Sequence, residues 1–236
     1  MNATQSSRLA VAFAREIARS KSAQLCTACV EMLGVTGAGI TIMGGDQAGP
    51  LCVSDDKVAA LEDLQYTTGQ GPSRDAFDSG ESVRAPHLDA TSLWPPFATL
   101  AKQSGFGAVF AYPLITAGAK VGVLTLYQDA NGDLTALQHD DSIALADVLT
   151  ETVLSLQDDA PSGVLAPGLE DAVQYRAEIY QASGMTAVQL GVPAAEALLR
   201  IRAHSFANDL TVAQTASHIV ARRLRLPSND HSETEV

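Results

Sequence analysis

The chain has 236 residues, of which 46% are hydrophobic and 18% are charged, a balance typical of globular proteins that bury a core. No apolar run reaches the roughly 18 residues that a membrane span needs, and the N-terminus lacks the apolar core of a signal peptide. The net charge of −12 disfavours nucleic-acid binding by the whole surface. These properties predict a cytoplasmic protein of one large domain or two modest ones.

The chain has three cysteines, Cys26, Cys29 and Cys52, and this odd count fits a reducing compartment. Cys26 and Cys29 form a C-x-x-C in a segment whose periodicity predicts a helix, and both lie on its apolar face. A zinc site would need a second such pair or two histidines at ligand spacing, and the sequence has neither. We therefore predict free cysteines that fill the core, with no bound metal or cofactor.

Residues 1–157 combine helical and extended patterns. The predicted elements, in chain order, are a helical region (7–33), the strands AGITIMG and GPLCVSD, a short helix followed by a glycine-rich loop, the strand ESVRAP, a helix beginning at WPPF, the strands GAVFAYPLI and AKVGVLTLYQ, and a closing helix (135–157). The turn TAGA makes the last two strands a hairpin, and Thr135 is the predicted cap of the closing helix. Helices on both sides of a mostly antiparallel sheet predict an α+β sandwich.

The rest of the chain is predicted to be helical. Residues 158–167 are rich in proline, glycine and acid and predict a linker. Residues 168–226 predict three helices, at about 169–190, at about 193–208, and from Thr211, which begins a capping box with Gln214. The tail, residues 227–236, is polar and predicted to be disordered.

The apolar spacing in these helices predicts which faces are buried. On the first helix a 3-4-3 spacing predicts a seam for pairing with another helix, and hence a homodimer; it comprises Ala172, Tyr175, Ile179 and Ala182. On the second, a stripe of Leu199, Ala203 and Phe206, continued by Leu210, is predicted to face the core. On the third, the predicted last turn contains Arg222, Arg223 and Arg225, where cations suit the helix dipole.

The middle of the first helix contains Gly184, although glycine costs about 1 kcal/mol relative to alanine in a helix interior. Two explanations are open from the pattern: the bare backbone lets another helix pack closely, or it lets a nucleobase or ribose approach. Arg176 and Gln181 are polar and lie near this glycine along the helix. Arginine can stack on an unpaired base or hold phosphate, and glutamine can bind a base edge.

Residues 168–226 resemble the ANTAR family of RNA-binding antitermination domains, on the strength of Arg176, Ile179, Ala182 and Gly184 and of Ala197 and Arg202 on the next helix. The resemblance implies a homodimer, constitutive or induced, that binds paired stem-loops with six-base loops in nascent mRNA and prevents terminator formation. It implies RNA contacts by Arg176, Gln181, Ala182, Gly184, Met185, Arg200 and Arg202. Many members have lysine where this chain has Ser183, which removes one cation from the expected RNA surface.

Residues 1–157 resemble a GAF domain in the segments TTGQGPSRDAF, WPPFATLAKQSGFGAVFAYPLI and KVGVLTLYQDANGDLT. The resemblance implies a sensory or dimerisation domain, with an unidentified small molecule as its candidate ligand and control of RNA binding as its candidate role. Related chains often have cysteine where this one has Ser73, which disfavours a thiol-based sensor.

Two other classes of function stay open. The last two helices, with Arg222 and Arg223, could form a DNA-binding helix-turn-helix, although the first helix would then have no role. A pure sensor or dimerisation module without a nucleic-acid partner would fit the net charge, and a cysteine-dependent redox enzyme is a further alternative. The sequence contains no G-x-S-x-G, P-loop or H-E-x-x-H motif, so we predict that the protein is not an enzyme.

Overall fold

The computed structural model describes residues 24–44, 47–158, 170–208 and 210–227, and it describes the backbone alone at 44, 47–48, 156–158 and 170–176. The chain divides into two compact units, Met1–Gln174 and Tyr175–Val236. We call them the α+β unit and the helical unit. The predicted linker and the predicted tail lie almost entirely outside the described residues, as does most of the predicted helical region at 7–33.

Five antiparallel strands form one sheet in the α+β unit, in the order β2-β1-β5-β4-β3. The strands are β1 (Gly37–Gly44), β2 (Gln47–Val53), β3 (Val83–Ala85), β4 (Ala108–Thr116) and β5 (Ala119–Gln128). The predicted hairpin is confirmed, because β4 and β5 are joined by the two residues Ala117 and Gly118. Both have a positive φ, as in the tight turns whose twist matches that of the flanking strands.

The helices that the structure describes in this unit are α1 (Leu25–Leu33), α2 (Asp56–Thr68), α3 (Pro72–Ser79), α4 (Pro95–Gln103) and α5 (Ala136–Asp158). Thr135 caps α5 as predicted, since its hydroxyl accepts a hydrogen bond from the N–H of Gln138 at 3.2 Å. Helix α3 differs from the prediction of a loop after α2. It forms because Pro72 lies in the first turn, where a missing N–H costs no hydrogen bond.

Successive side chains along each strand point to opposite faces of the sheet, and helices cover both faces. One face packs on α1 and α5, with Ile40, Phe110 and Leu124 among its buried residues. The other packs on α2, α3 and α4, with Val109 and Tyr127 among its buried residues. The predicted α+β sandwich is therefore confirmed.

The cysteine prediction is wrong in part, because Cys26 and Cys52 form a disulfide between α1 and β2. Cys29 is free and fully buried, and burial raises the pKa of its thiol to about 12. The helical pattern places Cys26 and Cys29 on the buried face correctly, since periodicity reports burial. Pairing depends on β2 bringing Cys52 alongside α1, which no local pattern reports.

The helical unit contains the three predicted helices, α6 (Glu170–Leu190, which begins before the boundary between the units), α7 (Ala194–Ala207) and α8 (Val212–Val220). Gly191 follows α6 with a φ of 67°, the left-handed conformation that commonly ends helices. Thr211 and Gln214 form the predicted capping box at the start of α8. None of the described helices is long and apolar enough to span a membrane.

Two predictions for this unit are wrong. The stripe of Leu199, Ala203 and Phe206 is exposed, and the buried residues of α7 are instead Ala197, Leu198, Ile201 and Ser205. Both sets repeat at helical spacing, so the pattern alone cannot choose between them. Helix α8 ends at Val220, so Arg222, Arg223 and Arg225 lie beyond its last turn.

Candidate functional site

One face of α6 is exposed along its second half. Its residues recur every three or four positions, and they are Ala177, Tyr180, Gln181, Gly184 and Val188. The side chain of Val188 is 87% exposed and that of Tyr180 is 42% exposed. These residues carry no charge, and we call them the α6 strip. The strip combines an aromatic ring, an amide and bare backbone on one surface.

Gly184 lies in the middle of this strip. A Cβ placed on Gly184 would have no atom within 4 Å, apart from the backbone of its own helix. Close packing of another helix among the described residues therefore does not account for the glycine. Of the two explanations that the sequence leaves open, an accessible backbone is the one that fits the described residues.

The opposite face of α6 is buried and includes Ile179, Ala182 and Ser183. Burial leaves Ile179 and Ala182 no side-chain surface for a second copy or for RNA, so we correct both from interface residues to core residues. The other predicted seam residues, Ala172 and Tyr175, lie where only the backbone is described. The seam prediction misplaces Ile179 because a 3-4-3 spacing suits packing within a chain as well as packing between chains.

Ser183, at the position where many ANTAR members have lysine, has a structural role in this chain. Its hydroxyl donates a 2.7 Å hydrogen bond to the carbonyl of Ala194, the first residue of α7. Its side chain is buried, so this position contributes nothing to the exposed surface of α6.

The remaining predicted RNA-binding residues lie in different environments. Gln181 is exposed on the α6 strip, whereas Met185 and Arg202 are half-buried. The guanidinium of Arg200 donates to the carboxylate of Glu196 at 2.7 Å, and an exposed pair of this kind is worth only about 0–1 kcal/mol. The side chain of Arg176 lies outside the described residues. The structure thus brings Gln181 and Gly184 together on one surface.

A second feature is a buried group of hydrogen-bonded polar side chains between the sheet and helices α2 and α3. The sequence patterns did not predict it. We call it the interior polar cluster, and it comprises Thr41, Glu62, Gln65, Ser73, Thr125 and Tyr127. The hydroxyls of Thr41 and Tyr127 donate to the two carboxyl oxygens of Glu62 at 2.8 and 2.7 Å. The hydroxyls of Ser73 and Thr125 are 2.7 Å apart, and the side chain of Gln65 accepts from the N–H of Ser73 at 2.8 Å.

Small residues in the sheet make room for this cluster. Gly39 and Ala111 flank Thr125 on the two neighbouring strands. A Cβ on Gly39 would lie 3.0 Å from Oε1 of Glu62, closer than side chains normally approach. The side chain of Glu62 therefore depends on a glycine at this position of β1.

Burial raises the pKa of Glu62 above its ordinary value, although hydrogen bonds from Tyr127, Thr41 and Thr125 oppose this. Burial, together with the neighbouring carboxyl, also raises the pKa of Tyr127 well above its ordinary value. Among the described residues, no Lys, Arg or His side chain hydrogen-bonds to the cluster. Burial therefore favours the neutral form of Glu62 more than it would be favoured in an exposed glutamate. A signal was present in the sequence, since Glu62 interrupts the apolar helical stripe of Val58 and Leu61.

No family model and no curated protein matches the chain. Among solved structures, it is similar to the GAF domain of a phosphoenolpyruvate-protein phosphotransferase from Coxiella burnetii, with 13% identity, a TM-score of 0.52, and coverage of 67% of this chain and 98% of that chain. It is also similar to the GAF domain of the Acinetobacter phosphoenolpyruvate-protein phosphotransferase, with 12% identity, a TM-score of 0.52, and coverage of 68% and 99%. Identities this low show the fold alone: the chain contains an α+β unit with the GAF fold.

Proposed function

We propose that this protein is an RNA-binding transcription antitermination regulator. In this proposal the helical unit binds paired hairpin loops in nascent mRNA, and the unit with the GAF fold senses a signal that controls this binding. The sequence resemblance of residues 168–226 to the ANTAR family supports the proposal. The observation that carries it is Gly184, which leaves bare backbone exposed in the middle of the α6 strip.

The chemistry of the α6 strip suits unpaired bases. Bases in a hairpin loop can be splayed out, stacked on aromatic rings and hydrogen-bonded along their edges. Tyr180 offers a ring for stacking, and the Gln181 amide can both donate and accept hydrogen bonds. Gly184 lets a base or ribose approach the backbone without meeting a Cβ. The strip would thus bind loop bases and leave the phosphates to another surface.

The resemblance also supports a mechanism for antitermination. Two stem-loops need two helical units, so a homodimer would present two α6 strips to one RNA. Holding both hairpins would occupy nucleotides that the terminator hairpin needs. The residues that join the two copies are outside this proposal, because Ile179 and Ala182 are buried.

The interior polar cluster is the candidate place for the signal. Its groups come from α2, α3, β1 and β5, so a small molecule that hydrogen-bonds there would contact both the sheet and the helices that cover it. No catalytic step is proposed, since the free thiol of Cys29 is buried with its pKa raised to about 12 and is not a nucleophile at neutral pH.

Gly184→Leu tests the proposal directly. A Cβ at this position meets no neighbour, and leucine has a higher helix propensity than glycine, so we expect the free energy of unfolding to stay the same or rise by up to about 1 kcal/mol. Binding would be titrated at fixed salt against an RNA with two six-base-loop hairpins, the same RNA with scrambled loops, and a duplex DNA. We expect the wild type to prefer the intact loops, and the leucine to abolish that preference because it covers the backbone.

A matched control is Ala203→Leu, which enlarges the side chain at an exposed position of α7 and should leave RNA binding unchanged. Arg176→Ala tests the arginine that the ANTAR resemblance assigns to RNA. If the wild type bound all three nucleic acids equally, or bound none, the antitermination proposal would be wrong.

A further inference from the structure

Three exposed arginines, Arg222, Arg223 and Arg225, lie on the turn that follows α8. We call residues 221–226 the arginine turn. Because α8 ends at Val220, the turn lies beyond the helix. The helix-end carbonyls of His218 and Ile219 already accept backbone N–H groups of the turn, at 2.7 to 3.1 Å. The arginine side chains are therefore not needed to cap the helix.

The arginine turn is anchored at both ends. Its first residues are hydrogen-bonded to the last turn of α8. At its other end Leu226 is buried, and the carbonyl of Leu226 accepts a hydrogen bond from the side-chain amide of Gln189 on α6. The three arginines thus project from a backbone that is already ordered, which lowers the entropy cost of binding a partner.

Arg222 has a φ of 57°, in the left-handed region that usually selects glycine or asparagine. Glycine would adopt this conformation without steric strain. The two backbone hydrogen bonds from Arg222 and Arg223 to the last turn of α8 make this a common left-handed helix ending, which fixes the direction in which the arginine side chains project.

The arginine turn also lacks carboxylate partners among the described residues. Three other arginines each form an ion pair, namely Arg74 with Asp78, Arg84 with Asp133, and Arg200 with Glu196. The chain has 27 acidic residues against 15 Lys and Arg, so acids are plentiful. Within the part of the chain that the structure describes, these exposed guanidinium groups are thus available to an anionic partner.

We infer that the arginine turn binds the phosphate backbone of RNA, as a second contact separate from the α6 strip. The inference rests on the proposed function and supplies the phosphate contacts that the uncharged strip lacks. A guanidinium can bind phosphate through two parallel hydrogen bonds. Residues 1–167 carry nineteen acids and nine bases, and their field opposes a polyanion, whereas residues 168–226 carry six arginines and five acids. A local cationic surface would offset that repulsion.

The test is the salt dependence of RNA binding by the triple variant Arg222→Gln, Arg223→Gln, Arg225→Gln. Each phosphate contact contributes about 0.7 to the slope of log affinity against log salt for single-stranded nucleic acid, so we expect a slope shallower by about 2. Affinity should fall by roughly tenfold or more at the lowest salt, equally for intact and scrambled loops. Gly184→Leu should do the opposite, losing loop preference while keeping the slope.

A charge-matched control removes three cations from the α+β unit, with Lys57→Gln, Arg74→Gln and Lys102→Gln. All three lie outside the helical unit, so this control should keep the wild-type slope. If the triple arginine variant failed to fold by circular dichroism, Arg223→Gln and Arg225→Gln would be measured singly, with a slope change of about 0.7 expected for each.

The possible results distinguish the phosphate contact of the arginine turn from the proposed function. A wild-type slope in the arginine variants, with loop-dependent binding intact, would overturn the phosphate contact and leave the proposed function standing. Equal slope changes in the arginine variant and the charge-matched control would also overturn it, since net charge alone would then explain the effect. A wild type that binds no RNA at any salt would overturn both.

Discussion

Glycine has opposite roles in the two units, at Gly39 in the α+β unit and at Gly184 in the helical unit. In the α+β unit, a Cβ on Gly39 would press against Glu62 at 3.0 Å, so this glycine lets a polar group enter the interior. In the helical unit, a Cβ on Gly184 would meet nothing within 4 Å, so this glycine leaves backbone exposed. The α+β unit encloses a polar cluster, whereas the helical unit exposes an uncharged strip and three arginines that have no carboxylate partner among the described residues. The proposed function uses this difference, with the enclosed cluster as the candidate place for a signal and the exposed strip as the candidate RNA contact.

The largest expected effect concerns the disulfide, which belongs to the α+β unit alone because residues 168–226 contain no cysteine. Cys26 and Cys52 are 26 residues apart, and a loop of that size implies about 3.5 kcal/mol of stabilisation in the chain-entropy model. Cys52→Ser, or a dithiol reductant on the wild type, should lower the free energy of unfolding of this unit by about that amount. Chemical denaturation followed by Trp94 fluorescence would measure it.

In the Cys52→Ser variant the reductant should have no further effect. The control Cys29→Ala keeps the disulfide and should remain sensitive to the reductant. Titration of three free thiols in denatured, unreduced wild type would contradict the pairing of Cys26 with Cys52.

The second effect sharpens the comparison of the glycines. Gly39→Leu should destabilise the α+β unit by about 1–3 kcal/mol, because overpacking forces Glu62 or the strand to move. Gly184→Leu is its matched partner, with the same substitution and an expected change between zero and a gain of about 1 kcal/mol. Denaturant unfolding of both variants measures the difference. Equal destabilisation by the two substitutions would end the distinction between an interior and a surface glycine.

The smallest effect for a single step of the measurement is a pH dependence from Glu62. Its pKa is raised in the folded state, so the folded protein holds a proton that the unfolded chain releases at lower pH. Stability is then greatest below the unfolded pKa of about 4.3 and falls as pH rises towards the folded pKa, by at most about 1.4 kcal/mol per pH unit. Glu62→Gln should remove this fall, because glutamine does not titrate.

Denaturant midpoints measured between pH 5 and pH 8 would test this, and the two proteins should diverge as pH rises. Tyr127 should not contribute over that range, since its own pKa lies well above the ordinary value. Parallel profiles for wild type and Glu62→Gln would mean that the carboxyl is already ionised in the folded protein.

The sequence by itself determined the features that depend on residues close together in the chain. The hairpin of β4 and β5 follows from a short turn between two extended runs, and the capping box of Thr211 and Gln214 follows from side chains three residues apart. The three C-terminal helices and the α+β order also follow from local periodicity. The sequence also predicted that Gly184 lies in the middle of a helix, but it did not determine the role of this glycine.

Tertiary structure alone decided what lies opposite each residue. Two faces of α7 have helical apolar spacing, and packing buries Leu198 and Ile201 while exposing Leu199 and Phe206. The partner of Cys26 depends on where β2 lies. The interior polar cluster joins Glu62 to Tyr127, 65 residues away. Periodicity indicates that a side chain lies on an apolar face. Only the packed chain specifies which residue contacts that side chain, or whether it faces solvent.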